Sequence, residues 1–225
     1  MNVNDAVLSR RSIRAFLDRP VAPDIVRRVL QTALRAPSGC NLQPWIVHVL
    51  TGDRLSALKA LMRGRVAEQP EGEMTEYDIT PPGLRDMSDY QRRLMELGQD
   101  LYGHLGIARG DKVARAAWNA RNFEFFGAPI GLFCAIDRRM GPPQWADLGM
   151  FLQTIMLLLR EEGLDSCAQE SWALYPATVG GFIGLPETQM LFCGMAIGYA
   201  DPDAPANRLR ARREALEDAV TFHGF

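Results

Sequence analysis

Apolar residues in the first third of the chain recur at two different spacings. Between residues 23 and 34 they stand three or four positions apart behind Pro23 and Asp24, which predicts an amphipathic helix that begins at the proline. Residues 45–52, WIVHVLTG, alternate and are rich in β-branched side chains, which predicts a strand. Residues 54–62, RLSALKALM, return to helical spacing.

The second half of the chain contains longer apolar runs. Residues 127–137, GAPIGLFCAID, predict a central strand buried on both faces. Residues 144–164 predict a helix that is apolar on almost every side between Leu148 and Leu159, so its own domain or a second subunit must cover it. Behind it we predict a short strand in DSCAQESW, a short helix in PATVGGFIGLP and a strand in QMLFCGMAIGYAD, followed by a tail without clear period.

Helices and strands therefore mix without the regular alternation of a doubly wound sheet, which favours the α+β class and a single domain over residues 1–225. Residues 63–115, approximately, differ from the rest: they are first polar and proline-containing, then helical but only moderately apolar. We interpret this segment as an excursion from the core and a candidate lid. A linker between two domains is the alternative, but the downstream half has too few strands to close its own sheet.

Charge and composition exclude several classes of function. The formal net charge of −2 argues against a nucleic-acid or membrane-surface binder, and no secretory leader is recognisable. The four cysteines lie far apart, so we expect them reduced and buried in a cytoplasmic protein. The three histidines are scattered, so no metal site is predicted, and the glycines never take the G-x-G-x-x-G spacing of dinucleotide folds.

A basic motif, SRRSIRAF, follows a short predicted helix near the beginning of the chain. If this segment is extended, Arg10, Ser12 and Arg14 leave the same face at steps of about 7 Å. Two guanidinium groups and a hydroxyl suit a phosphate monoester. The alternative is a solvated basic stripe that pairs with acidic residues.

The loop APSGCNLQPW between the first long helix and the first strand is rich in backbone-shaping and amide residues. Pro37, Ser38 and Gly39 bring a turn close to whatever lies above it, while Asn41 and Gln43 each offer a donor and an acceptor. Such amides suit the imide-like edge of a flat heterocycle, and the tryptophan behind them would anchor the loop. The alternative is a polar turn whose amides cap helix ends.

Five pieces of the sequence, taken together and in order, resemble the FMN-dependent nitroreductase family, and the resemblance covers nearly the whole chain. They are RRSIRAF, APSGCNLQPWIVHVLTG, GAPIGLFCAID, AQESW and the ending GYADPDAPANR. The pieces LYGHLGIARGDK and NFEFFGAP resemble its nitrobenzoate-reductase branch. The resemblance implies a mostly antiparallel central sheet flanked by helices. It also implies an intertwined homodimer with a C-terminal extension and FMN in each of two interface clefts.

The same resemblance implies roles for individual positions. Phosphate and ribityl contacts fall on Arg10, Arg11, Ser12 and Arg14, and a phosphate-closing arginine on Arg213. The loop that reaches the flavin from the partner subunit corresponds to Pro37, Ser38, Gly39, Asn41 and Gln43. Backbone N–H groups at Gln169, Glu170 and Ser171 correspond to those that face flavin N5, and Arg121 or Asn122 would lie near N1 and O2. Ala168 departs from the family, in which many members carry proline.

The implied activity is hydride transfer from NADH or NADPH, through flavin N5, to a small acceptor such as a nitroaromatic or quinone in a ping-pong cycle, with no side-chain acid or base. A non-catalytic FMN-sequestering protein, or a dehalogenase or azoline oxidase on the same fold, are alternatives. A thiol enzyme built on Cys40 and His48 is disfavoured, because no third group is evident to orient the histidine.

Overall fold

Four antiparallel strands form the centre of the protein, which the computed structural model describes over residues 1–224. They lie in the order β1-β2-β4-β3, and every neighbouring pair is antiparallel. The strands are β1 (Ile46–Thr51), β2 (Ile130–Asp137), β3 (Asp165–Gln169) and β4 (Gln189–Gly198). This sheet, with helices on both of its faces, confirms the α+β class.

The apolar run of β2 is explained by its place in the sheet. Every residue from Ile130 to Ile136 is buried, because β1 and β4 flank the strand and side chains cover both faces. Aromatic rings press directly on the backbone here: a Cβ atom on Gly194 would meet Cδ1 of Trp172 at 2.3 Å, and one on Gly131 would meet a ring carbon of Phe125 at 2.5 Å. Glycine is thus required at both positions.

Eight α-helices surround the sheet in the described part of the chain. The helix predicted to begin at Pro23 does so, and the helix predicted from RLSALKALM continues to Glu68. The helices are α1 (Val3–Ser9), α2 (Pro23–Ala33), α3 (Gly52–Glu68), α4 (Ser88–Leu105), α5 (Lys112–Ala120), α6 (Pro142–Glu161), α7 (Pro176–Ile183) and α8 (Leu216–Ala219). None of these helices is long and apolar enough to cross a membrane within residues 1–224.

Two apolar cores lie on opposite faces of the sheet, because neighbouring β2 residues such as Leu132 and Phe133 belong to different clusters. On one face α2 and α6 pack, and the ring of Trp45 stacks on Phe151 with centroids 4.7 Å apart. This stack fixes the end of the loop that precedes β1. Only one side of α6 is buried, and Met150 on its other side is 41% exposed.

The segment between α3 and α5 contains two differently attached parts. Residues 69–77, which we call the anchor segment, reach the protein body: the Tyr175 hydroxyl donates to the Gln69 carbonyl at 2.6 Å, and the Glu73 N–H donates to the Leu174 carbonyl at 2.7 Å. By contrast, α4 has no buried residue.

The cysteines follow the sequence-based prediction in part. Cys134, Cys167 and Cys193 are buried, but Cys40 is exposed, so the prediction that all four are buried was wrong. Cys40 sits in the polar loop before β1, whose backbone lies over the surface and leaves its side chain uncovered.

Candidate functional site

A cavity of about 770 Å³ lies where the beginning of the chain meets its C-terminal part. The segment after α1 forms one wall, residues 209–213 form another, and the last turn of α6 supplies a further side chain. Its polar lining consists of Ser9, Arg10, Arg11, Ser12, Arg14, Arg160, Arg210 and Arg213. The structure therefore brings the basic N-terminal motif and Arg213 together, and it adds two arginines, Arg160 and Arg210, that sequence reasoning missed.

The N-terminal wall is held in place by β3. Ser12 forms a parallel bridge with Ser166, and the Ile13 N–H donates to the Ser166 carbonyl at 3.0 Å. Ile13 is buried in the core, so the residues on either side of it face the cavity. The basic motif consequently runs alongside the strand that leads to Gln169.

Asn207 joins the two ends of the site. Its side-chain amide donates to the Ala15 and Asp201 carbonyls, both at 2.8 Å, and its side-chain oxygen accepts from the Arg14 N–H at 2.8 Å. Its backbone carbonyl accepts from Nη1 of Arg11 at 2.7 Å. Sequence reasoning did not select this residue, although it lies in the quoted ending GYADPDAPANR. Asn207 fixes both the backbone and one guanidinium of the basic motif.

The cavity carries a large excess of positive charge. Six guanidinium groups line it, and among the described residues the only ion pair they form joins Arg160 to Asp165, at 2.5 Å. Burial lowers the pKa of Arg11, and the neighbouring Arg210 lowers it further. Clustered guanidinium groups repel one another, so a bound anion would relieve the repulsion and satisfy the free donors. The donor set fits a phosphate group.

The side chain at the end of β3 is engaged within the protein. Gln169 is buried, and its Nε2 donates to the Asn122 carbonyl at 2.8 Å while its Oε1 accepts from Trp172 Nε1 at 3.4 Å. The Gln169 side chain is therefore occupied within the protein, and the residues that follow it, Glu170 and Ser171, begin a 3₁₀ turn. Asn122 lies against this segment, whereas the Arg121 guanidinium stacks on Trp118, 5.0 Å from the ring centroid.

The polar loop before β1 lies outside this cavity in the described chain. Its backbone is held by the buried carboxylate of Asp147, which accepts from the Gly39 N–H at 3.1 Å, and by Ser38, whose hydroxyl accepts from the Gln43 N–H at 3.0 Å. Asp147 is a further residue that sequence reasoning missed. Pro37, Gly39, Asn41 and Gln43 are exposed.

This loop also has a strained backbone. Cys40, Asn41 and Gln43 have φ angles of 50°, 55° and 49°, in the left-handed region that non-glycine residues rarely adopt. Such conformations cost roughly 1 kcal/mol or more each and are concentrated at ligand-binding segments. The strain and the exposure together mark this loop as a candidate ligand-contacting segment.

The cysteine and histidine considered for thiol chemistry are not paired. Cys40 is exposed in the loop, whereas His48 lies within β1 opposite Phe133. The His48 Nε2 atom is buried and has no hydrogen-bond partner among residues 1–224. The arrangement lacks the nucleophile–base contact that a thiol mechanism needs. No group of three potential metal ligands was found in the same part of the chain.

Comparison with known proteins adds independent information. A family model described as the nitroreductase family matches residues 7–199. The chain is 39% identical to a 4-nitrobenzoate reductase from Pseudomonas putida over 222 residues, which cover 98% of this chain and 96% of that protein. It is 35% identical to a nitrobenzene nitroreductase from Ectopseudomonas oleovorans over 223 residues, with the same coverage of both chains.

A solved structure is similar throughout. The crystal structure of the FMN and NADPH-dependent nitroreductase NfnB from Sphigopyxis sp. strain HMH superposes with a TM-score of 0.96 and 48% sequence identity, and the match covers 100% of both chains. The likeness therefore includes the segment between α3 and α5 as well as the sheet.

Proposed function

The chain belongs to the nitroreductase family, and we propose that it is an FMN-dependent oxidoreductase that uses NADPH to reduce small nitroaromatic acceptors. The similar NfnB structure is named as FMN- and NADPH-dependent, and two similar proteins are named for nitrobenzoate and nitrobenzene reduction. The sequence left NADH and NADPH as equal alternatives, and the NfnB likeness favours NADPH.

The observation that carries this proposal is the cavity beside β3. Six arginines, of which one is paired with a carboxylate, would hold the dianionic phosphate of FMN. The volume of the cavity, about 770 Å³, falls within the range of small-molecule sites. In this proposal Arg10, Ser12, Arg14 and Arg213 contact the phosphate, while Arg11 keeps its bond to the Asn207 carbonyl and lines the wall.

The flavin ring would then extend along β3 toward its C-terminal end. We assign the backbone N–H groups of Glu170 and Ser171 to the ring edge, with Gln169 acting through its buried amide as a support for that turn. Of the two candidates for the N1 and O2 edge we choose Asn122, because it contacts Gln169, whereas Arg121 is directed to Trp118. One N–H of the Asn122 side chain donates to the Asn119 carbonyl, which leaves the second for the ring edge. Bound FMN would supply hydride transfer, and the protein would supply binding, orientation and exclusion of water.

We further propose that two copies of the chain form each complete site. The polar loop lies outside the arginine cavity of its own chain, so contacts from its amide side chains to a flavin would have to come from a second subunit. The loop residues assigned to this role are Pro37, Ser38, Gly39, Asn41 and Gln43. The strained, exposed loop supports this assignment.

An uncovered apolar surface also supports a homodimer. The outer edge of β1 and the adjacent face of α2 line a cavity of about 420 Å³ whose walls include Val26, Leu30 and Val49. Met150 on the outer side of α6 and Leu34 at the end of α2 are exposed by 41% and 45%. Large contiguous apolar surfaces of this kind are typical of interfaces. The free, mostly buried thiols fit a cytoplasmic location, which we also propose.

The first experiment is a visible spectrum of the purified protein followed by anaerobic stopped-flow mixing. We expect flavin absorption bands, their bleaching by NADPH, and their return on mixing with 4-nitrobenzoate or nitrobenzene. Tight flavin binding without bleaching by NADPH or NADH would instead indicate a non-catalytic flavin protein.

The phosphate assignment has its own test. Arg14→Ala should weaken FMN binding by about 1.5–3 kcal/mol, because a charge-assisted hydrogen bond is lost, and should leave riboflavin binding unchanged, because riboflavin lacks the phosphate. Arg139→Ala is a matched control, since the Arg139 side chain is 88% exposed and lies outside the cavity. Equal losses of FMN and riboflavin affinity in Arg14→Ala would contradict the assignment.

The dimer is tested by light scattering coupled to size-exclusion chromatography. We expect twice the chain mass for the unaltered protein, and a shift toward the monomer for Val49→Asp, because a carboxylate would be placed on the apolar surface. A monomer that binds FMN and turns over normally would refute the shared site.

A further inference from the structure

A second cavity, of about 450 Å³, lies between α4 and α5, away from the arginine cavity. One face of α4 forms a wall with Leu94 and Met95, and Ile107 closes it from the connection to α5. Gly98 lies on the same face of α4 and leaves open space where a side chain would stand. This largely apolar cavity, which we call the slot, has a volume within the range of small-molecule sites.

Two arginines, Arg109 and Arg115, supply the charge in this slot, and no acidic residue lines it. Among residues 1–224, neither arginine forms an ion pair with a carboxylate. The Arg115 guanidinium lies over the Tyr102 ring, 4.0 Å from its centroid, so it is held against a side chain that also lines the cavity. Its Nε atom is buried and has no hydrogen-bond partner within the described residues.

A buried, unpaired guanidinium donor is unfavourable, and a carboxylate is the acceptor that matches the guanidinium fork. An apolar slot with two such forks and no competing acid is therefore complementary to a molecule that has a flat apolar body and one carboxylate. Benzoate and its ring-substituted derivatives have this chemistry.

The slot is connected to the segment assigned above to the flavin edge. The Tyr102 hydroxyl donates to Oδ1 of Asn119 at 3.3 Å, and Nδ2 of Asn122 donates to the Asn119 carbonyl at 3.0 Å. Gln169 then donates to the Asn122 carbonyl at 2.8 Å. Three successive hydrogen bonds thus fix the wall of the slot relative to the end of β3.

From these observations we propose that Arg109 and Arg115 bind the carboxylate of an aromatic acid acceptor and make the enzyme selective for nitrobenzoates over uncharged nitroarenes. This inference rests on the proposed function and assigns specificity residues to it. Arg115 supplies a pre-oriented fork, and Arg109, which is exposed, supplies a second cation at the opening.

The test compares 4-nitrobenzoate with nitrobenzene, which has the same ring and nitro group but no carboxylate. Steady-state KM and kcat are measured on FMN-loaded protein for the unaltered chain, Arg109→Gln, Arg115→Gln and the double variant. We expect each substitution to raise KM for 4-nitrobenzoate about tenfold or more, with KM for nitrobenzene and for NADPH unchanged. A calorimetric titration with unreactive benzoate should show the same loss of affinity, and benzamide should bind the variants and the unaltered protein equally.

The control is Arg54→Gln, which removes a guanidinium 4.0 Å from the Phe182 ring centroid, outside the slot. It should leave all these constants unchanged. Arg109→Gln removes an exposed side chain, so it keeps the test valid if Arg115→Gln does not fold.

Parallel rises in KM for both acceptors, a rise confined to NADPH, or no change would overturn the inference. Activity of the unaltered protein distinguishes failure of the proposed function from failure of this inference. If neither 4-nitrobenzoate nor nitrobenzene is reduced, the proposed function fails. If 4-nitrobenzoate is reduced but its KM does not respond to either arginine, only this inference fails.

Discussion

The two parts of the segment between α3 and α5 are attached to the protein by opposite means. The anchor segment is fixed by buried groups, whereas α4 has no buried residue and is attached by the half-buried side chains of Leu101, Tyr102 and Leu105 and by ion pairs at the surface. The two parts therefore have different roles. The anchor segment fixes the point at which the chain leaves the protein body, whereas α4 can move at a lower cost in free energy.

Glu73 is the centre of the anchor segment. Its carboxylate caps the beginning of α7, where it accepts from the Ala177 N–H at 2.9 Å and from the Thr178 N–H at 3.1 Å, and it also accepts from Arg65 Nε at 3.1 Å. Burial alone would raise the pKa of Glu73, but bonds from Thr178, Arg65 and Ala177 hold it below its ordinary value. The carboxylate therefore stabilises the fold in its ionised form.

The ion pairs of α4 join it to the strap of residues 211–214. Glu214 accepts from Arg92 at 2.9 Å and from Arg93 at 2.5 Å, while Arg212 lies 3.4 Å from Asp100. Surface pairs of this kind contribute little to stability and are screened by salt. These pairs therefore add little to the attachment that Leu101, Tyr102 and Leu105 provide by packing against the core.

The largest effect is expected from Glu73→Gln. The uncharged amide loses the charge-assisted bonds and places an NH₂ group toward donors, so the free energy of unfolding should fall by about 1.5–3 kcal/mol. Urea denaturation measures the change. Glu68→Gln is the matched control, because Glu68 is 70% exposed and 3.6 Å from the same arginine. If both variants unfold alike, the anchor segment is no more firmly held than the surface.

The second prediction concerns the pH dependence of that difference. Since the pKa of Glu73 is lowered by folding, its contribution is present in full above the unfolded value of about 4.3 and is lost as the pH falls through the folded value. The stability gap between the unaltered protein and Glu73→Gln should therefore stay constant near neutrality and shrink below about pH 4. Denaturation curves at a series of pH values measure it, and a gap that widens in acid would reverse the assigned sign.

A smaller effect is expected from Glu214→Gln, which breaks both pairs to α4. The midpoint of thermal unfolding should fall less than in Glu73→Gln, and the difference from the unaltered protein should vanish at about 1 M salt, where exposed charges are screened. Hydrogen exchange of α4 should accelerate at low salt. Persistence of the full effect at high salt would show that Glu214 stabilises α4 by more than screened surface ion pairs.

The smallest effect tests α4 itself. Gly98 has open space around its missing side chain, so Gly98→Ala should stabilise the helix by about 0.5–1 kcal/mol. Gly106 ends the helix at φ 67°, so Gly106→Ala should have the opposite sign. Hydrogen exchange confined to α4 reports both changes, and equal responses of the two variants would contradict this account of the helix.

Much of the fold follows from local patterns. The sequence predicts β2 and α2 correctly because their burial differs. A strand buried on both faces, such as β2, is a continuous apolar run, whereas a helix buried on one face, such as α2, has apolar residues three or four positions apart. The anchor segment has no such apolar pattern. Glu73 appears in a polar, proline-containing stretch, and only its contact with α7, 105 residues away, gives it a structural role.

The site divides in the same way. The basic motif was recognisable because its residues are adjacent and share a charge, and Arg213 was placed by resemblance. Asp147 and Asn207 were not found, since their partners are remote in sequence: the Arg14 N–H and the Asn207 side chain are 193 residues apart. Arg160 and Arg210 were not found because only the fold brings them to the basic motif. The left-handed backbone of Cys40 and Gln43 was equally hidden, because neither residue type favours it.

The single amide of Asn207 has a consequence for biosynthesis. It ties together two stretches that are 193 residues apart, so the pocket between them cannot form on a growing polypeptide until residue 207 has left the ribosome. Nucleotide loading must therefore follow the synthesis of that residue. Messages cut short before codon 207 should yield colourless protein, however much of the sheet has already formed.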